Sequence, residues 1–154
     1  MLDALILLFL RETRLDIQPS SKKVLVAVRP QDVPIVSAAL GNSFSLLISH
    51  TLEDVQTHLD ENIGLIACGV RFDNGRMFEL LRAAKAHPNT HSVPLYLLLG
   101  EGKGYSRAIL HGIKSAATVL GVQGFTDLSR MESGFGKGKT YELLRQVIHD
   151  HLQP

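Results

Sequence analysis

Short apolar runs of strand length recur along this chain with amphipathic helices between them, and that alternation leaves few folds open. Residues 24–28, 63–68 and 93–99 are nearly continuous apolar stretches rich in valine, isoleucine and leucine. A strand with one wet face alternates apolar with polar residues. A continuous run marks a strand covered on both faces, as in a parallel sheet. Two more runs, 44–48 and 122–126, complete a set of five strands.

The segments between them carry helical spacing. Residues 31–41 place Val33, Val36 and Leu40 on one face, with Gly41 at the end. Thr51, with Asp54 three residues on, reads as a helix cap before Leu52, Val55 and Leu59. Residues 76–87 present Met77, Leu80, Leu81 and Ala84, and Pro88 stops that helix. Residues 105–120 and 139–152 supply two more stripes, the last through Tyr141, Leu144, Ile148 and Leu152. Five strands alternating with helices predict an α/β fold, a doubly wound five-stranded parallel sheet in a three-layer sandwich. Right-handed crossovers put helices on both faces. Any ligand or switch site then lies at the carboxyl ends of the strands, after Val28, Ile48, Ala67, Leu98 and Thr126.

The balance of 16 Lys and Arg against 15 Asp and Glu leaves no electrostatic footprint for nucleic acid. A single cysteine forms no intrachain disulfide and fits a reducing compartment. The longest apolar run, residues 4–10, is far short of the roughly 20 residues that span a bilayer. It lacks a basic flank and follows Asp3, unlike a secretory signal, so the expected location is the cytoplasm. Residues 2–14 read as a helix that is apolar on nearly all sides until Arg11. Such a helix calls for burial, either on its own domain or against a partner chain, including a second copy in a homodimer; the plainer alternative is a frayed arm with no role. The expected division is an N-terminal apolar helix and linker, residues 1–21, followed by the domain, residues 22–154.

Residues 22–152 resemble the receiver domain of bacterial two-component response regulators. Lys22-Lys23-Val24-Leu25-Val26-Ala27-Val28 is similar to the first receiver strand, and Ile63-Gly64-Leu65-Ile66-Ala67-Cys68 to the third. Asn74-Gly75 followed by Phe78-Glu79-Leu80-Leu81 resembles the family's Asp-Gly and leucine-rich helix start. His87-Pro88-Asn89-Thr90 and Ser92-Val93-Pro94-Leu95 resemble the approach to the fourth strand, and Gly121-Val122-Gln123-Gly124-Phe125 the entry to the fifth. The resemblance implies a CheY-like, flavodoxin-like fold and a role in signal transduction.

It also implies a switch pocket, and here that pocket is degenerate. The acids that hold Mg²⁺ after the first strand correspond to Val28 and Arg29, with Asp32 three residues on. The phosphoacceptor position falls on Cys68 or Gly69, and the nearest acid beyond is Asp73. The Thr or Ser ending the fourth strand corresponds to Leu99, the Lys after the fifth to Leu128, and its Pro to Ser129. These changes imply a pseudo-receiver: a non-enzymatic domain with no cofactor and no metal, working through contact with a protein partner. Arg29 is expected to put a fixed positive charge where the metal would sit. Two other readings stay open, a small-molecule or anion-binding domain and an atypical phosphorylated regulator using Asp73 or Asp32.

Gly134-Phe135-Gly136-Lys137-Gly138-Lys139-Thr140 resembles a phosphate-binding loop, although Ser133 stands where that motif needs glycine. Gly134, Gly136, Lys137, Gly138 and Lys139 could cradle an anion, and the simpler expectation is a loop before the last helix. Cys68 is either a reactive thiolate near Arg29 or Arg71, or a buried small hydrophobe. Arg71, Arg76, Arg82 and Lys85 form a basic cluster without interleaved aromatics, which argues against stacking on nucleic acid. The stretch from residue 100 to 121 is longer than the family's and reads as a remodelled contact face or a tolerated surface loop.

Overall fold

The computed structural model describes residues 22–100 and 105–153. Five parallel strands run β1 (Lys23–Ala27), β2 (Leu46–Ser49), β3 (Ile63–Gly69), β4 (Leu95–Leu99) and β5 (Gly124–Asp127), in the order β2-β1-β3-β4-β5. Among the described residues six α-helices connect or follow them: α1 (Val33–Leu40), α2 (Leu52–His58), α3 (Met77–Ala86), α4 (Arg107–Val119), α5 (Leu128–Phe135) and α6 (Lys137–Leu152). This is the doubly wound sheet that the apolar runs predict. The proposed helix at residues 2–14, and with it the homodimer contact, lies outside the described residues. Among those described, no helix is long and apolar enough to cross a membrane.

The strand pleat sorts the core into two layers. Leu25, Ala27, Ile66, Cys68, Leu95, Leu97 and Leu99 face α2, α3 and α4. Val24, Val26, Val28, Leu65 and Ala67 face α1 and α6. β3 lies between β1 and β4, and all seven of its residues are buried.

Element boundaries shift for local reasons. β2 begins at Leu46 rather than residue 44, and Phe44 packs on the core without pairing. β4 begins after Pro94, which has no N–H to give; its carbonyl accepts the Ile66 N–H at 2.9 Å. β5 begins at Gly124 because the Val122 N–H closes the end of α4 on the Ala117 carbonyl at 3.0 Å. Thr51 caps α2 as expected, its hydroxyl accepting the Asp54 N–H at 3.1 Å.

The segment after β5 differs more. The expected loop is the helix α5, capped by Asp127, whose Oδ1 accepts the Arg130 N–H at 3.1 Å. One residue, Gly136 at φ +81°, turns α5 into α6. A positive φ strains any residue with a Cβ, which is why glycine stands there.

Gly124 has a different reason. A Cβ there would lie 2.5 Å from Cε1 of Tyr96. Tyr96 in turn meets His151, with hydroxyl and Nε2 2.5 Å apart, which ties β4 to the end of α6. Gly124→Ala is expected to lose about 1–3 kcal/mol of unfolding free energy through overpacking. In a Tyr96→Leu background most of that loss should vanish, as read from paired urea titrations.

Candidate functional site

The strand-end crevice is where this fold displays chemistry, and here each candidate side chain is engaged or buried. β1 delivers Val28, 3% exposed, whose N–H is held by the Ser49 carbonyl at 3.0 Å. Arg29 follows, and the 3₁₀ turn Pro30–Asp32 folds Asp32 back onto it. Arg29 Nε donates to Asp32 Oδ2 at 2.9 Å and its Nη2 to Oδ1 at 3.0 Å. Both carboxylate oxygens are therefore taken by a bidentate pair. The fixed positive charge expected of Arg29 is thus offset by the Asp32 carboxylate.

Cys68 sits in register between Ala27 and Leu97, fully buried in the layer under α2, α3 and α4. Its Sγ lies 3.5 Å from the Gly69 carbonyl. Burial pushes the thiol pKa up, which disfavours the thiolate that reactivity needs. This burial favours the small-hydrophobe reading of Cys68 over the reactive one. Leu99 and Leu128 are buried at 1% and 6% exposure, closing the ends of β4 and β5 with hydrocarbon.

Asp73 is close to the crevice but acts as a buttress. Its backbone, at φ +44°, and that of Asn74, at φ +55°, are left-handed, and Gly75 follows at φ +90°. Asp and Asn tolerate this region better than most residues. The geometry swings Asp73 Oδ2 to within 2.9 Å of the Leu52 N–H at the start of α2. Arg76 Nη1 approaches the same oxygen at 3.4 Å and also reaches Glu53 at 2.9 Å, while its Nε holds Glu79 at 3.0 Å. The Arg76 hydrogen bond lowers the Glu53 pKa.

The basic cluster anticipated in this region is accordingly dispersed. Arg76 belongs to that acidic network, Arg71 stacks 4.9 Å from the Tyr105 ring centroid, and Lys85 donates to the His91 carbonyl at 3.2 Å.

The glycine-rich anion loop is also corrected. Gly134 is inside α5, Gly136 is the corner, and Lys137, Gly138 and Lys139 form the first turn of α6. Lys139 lies 3.8 Å from Glu142. Helix, corner and helix leave no strand-to-helix loop to wrap a phosphate.

Sequence reasoning missed a groove of about 680 Å³ between α4 and α5, floored by β5. Arg107, His111 and Lys114 line one wall at i, i+4 and i+7, a single face of α4. Arg130 and the 60% exposed Phe135 line the other. Lys114 Nζ sits 4.7 Å over the Phe125 ring. Asp127 is the one acid among the described lining residues, and its Oδ1 caps α5. The i, i+4, i+7 spacing was present in the sequence, but Arg130 joins it only through the unexpected helix.

The sequence matches no protein-family model and no curated protein. Solved structures do match. A response regulator from Hahella chejuensis superposes with a TM-score of 0.62 at 17% identity, over 80% of this chain and 92% of that one. The receiver domain of a sensor histidine kinase from Pseudomonas aeruginosa gives a TM-score of 0.60 at 15% identity, over 85% and 97%. A chemotaxis response regulator of Vibrio cholerae gives 0.61 at 14%, over 84% and 98%. The chain has the fold of a response-regulator receiver domain.

The Pseudomonas receiver holds a magnesium ion in its active-site cleft. The residues here do not fit such an ion. Mg²⁺ requires oxygen ligands in near-octahedral array. Val28 offers a buried hydrocarbon, Arg29 a cation, Cys68 an inaccessible thiol, and Asp32 a carboxylate already held twice.

Two outcomes follow from these contacts. Asp73→Ala orphans the Leu52 N–H and should destabilise the domain by about 1–3 kcal/mol in chemical denaturation. Ellman's reagent should detect no thiol in the native protein and one per chain in guanidinium, the chain's single cysteine.

Proposed function

We propose that this domain is a pseudo-receiver: a cytoplasmic, non-enzymatic signalling module that works through protein–protein contact without being phosphorylated. The observation that carries the reading is the state of the strand ends. Phosphoryl transfer to a carboxylate needs a free carboxylate nucleophile and a cation that gathers the phosphoryl oxygens. Arg29 closes on Asp32, Asp73 is engaged by the Leu52 N–H and Arg76, and Cys68 is fully buried. The receiver fold of its structural neighbours supports a place in a two-component or comparable signalling pathway.

The contact surface in this reading is the face made by α4, β5 and α5. Arg107, Lys114 and Arg130 line it together with the exposed Phe135, with one acid among the described lining residues. Arg107 and Lys114 stand seven residues apart on one face of α4, with Arg130 across the groove, and an acidic segment docking between them would meet complementary charge. A smaller anionic ligand is the second reading, favoured by the groove's volume.

Incubation with acetyl phosphate and Mg²⁺ should leave the intact mass unchanged. A phosphoryl adduct on Asp32 or Asp73 would refute phosphorylation independence. Charge reversal at Arg107 and Arg130 should then remove those proteins that the wild-type bait retains, whether or not acetyl phosphate is added. Retention of the same proteins by both baits would move the contact elsewhere. A thermal shift with phosphate or nucleotides that the reversal abolishes would favour the small ligand.

A further inference from the structure

The layer formed by α1 and α6 covers its side of the sheet incompletely. On the opposite side of β4, Leu95, Leu97 and Leu99 are at most 1% exposed, whereas Tyr96 and Leu98 on this side are only half-buried. The cause is the route of the chain after β5. α5 intervenes, and α6 packs mainly on α1, α5 and β3, meeting β4 at Tyr96 through His151. A half-open groove of about 140 Å³ remains, lined by Ile35, Leu98, Met131, Leu144 and Val147 among others. Tyr96 and Thr126 supply the only hydroxyls on its walls, and Val147 at its rim is 41% exposed. Nothing among the described residues covers it.

We propose that the apolar run at residues 4–10 of the same chain occupies this groove in cis. Reach permits it. Lys22, the first described residue, lies beside Leu152 at the end of α6: a Cβ on Gly64 would meet Leu152 Cδ2 at 2.4 Å and Lys22 Cβ at 2.9 Å. Val147 and Leu144 are five and eight residues back along α6, about 8 and 12 Å at helical rise. Residues 11–21 span up to roughly 35 Å when extended, more than enough for the return.

Chemistry favours the match as well. The run Ala4-Leu5-Ile6-Leu7-Leu8-Phe9-Leu10 carries no polar side chain, and the groove wall is almost wholly hydrocarbon. A dry cavity of about 150 Å³ takes one benzene-sized group, so one or two side chains of the run fill the groove while the rest cover Val147 and Ile35. Tethering raises the local concentration of the segment to about the millimolar range, which favours its own domain over a second copy. The inference is independent of the phosphorylation reading.

The test uses the full chain. Phe9→Asp should increase the fluorescence of an apolar dye such as ANS several-fold and lower amide-exchange protection around Tyr96, Leu98 and Val147. Val147→Asp, at a half-exposed rim position, should have the same dye effect from the groove side. A Phe9→Cys, Val147→Cys pair should oxidise to a monomeric cross-linked product at micromolar concentration. Cross-linked dimers in place of monomers would reassign the groove to a second copy. Unchanged dye binding and protection in Phe9→Asp would overturn the proposal, and a groove that then binds small apolar molecules equally in both proteins would be a ligand site.

Discussion

β3 is the constraint on which the rest of this domain depends. Its seven residues are buried, paired with β1 on one edge and β4 on the other, with helices over both faces. A central parallel strand of this kind admits little except hydrocarbon, because a charge placed there loses its hydration with no partner to replace it. Ile66 and Cys68 serve the layer under α2, α3 and α4, and Leu65 and Ala67 serve the layer under α1 and α6. Cys68 is therefore part of the packing, and the strand continues through Gly69 before any loop begins. The buried end of β3 thus presents hydrocarbon, a thiol and a glycine where the strand leaves the sheet.

The strands were legible because burial on both faces demands continuous apolar runs, and those runs are visible in one dimension. Boundaries were less so. Val122 looks like the first residue of a strand, but its N–H completes the end of α4. That Val28, Cys68, Leu99 and Leu128 offer no side-chain oxygen could also be read directly, whatever they touch. Where Arg29 and Asp73 direct their charge could not be read. The first depends on a tight turn after β1, and the second on a partner 21 residues away.

α5 escaped notice for a related reason. Ser129, Ser133, Gly134 and Gly136 have the composition of a loop, while the signals for a helix were sparse: Asp127 as cap and Leu128, Met131 and Phe135 at helical spacing. Those few residues have wide effects. They supply one wall of the cationic groove, and they displace α6 so that β4 and β5 are left partly uncovered on the other face.

The cancelled charge at the strand ends also shapes the field around the molecule. Arg29 and Asp32 form a closed dipole within one turn, so their combined potential falls off steeply with distance. The walls of the α4–α5 groove instead add like charges over a low-dielectric floor, an arrangement that focuses field lines outward over about a Debye length, roughly 10 Å at 0.1 M salt. Any pull that flank exerts on an anionic group is therefore screened as ionic strength rises.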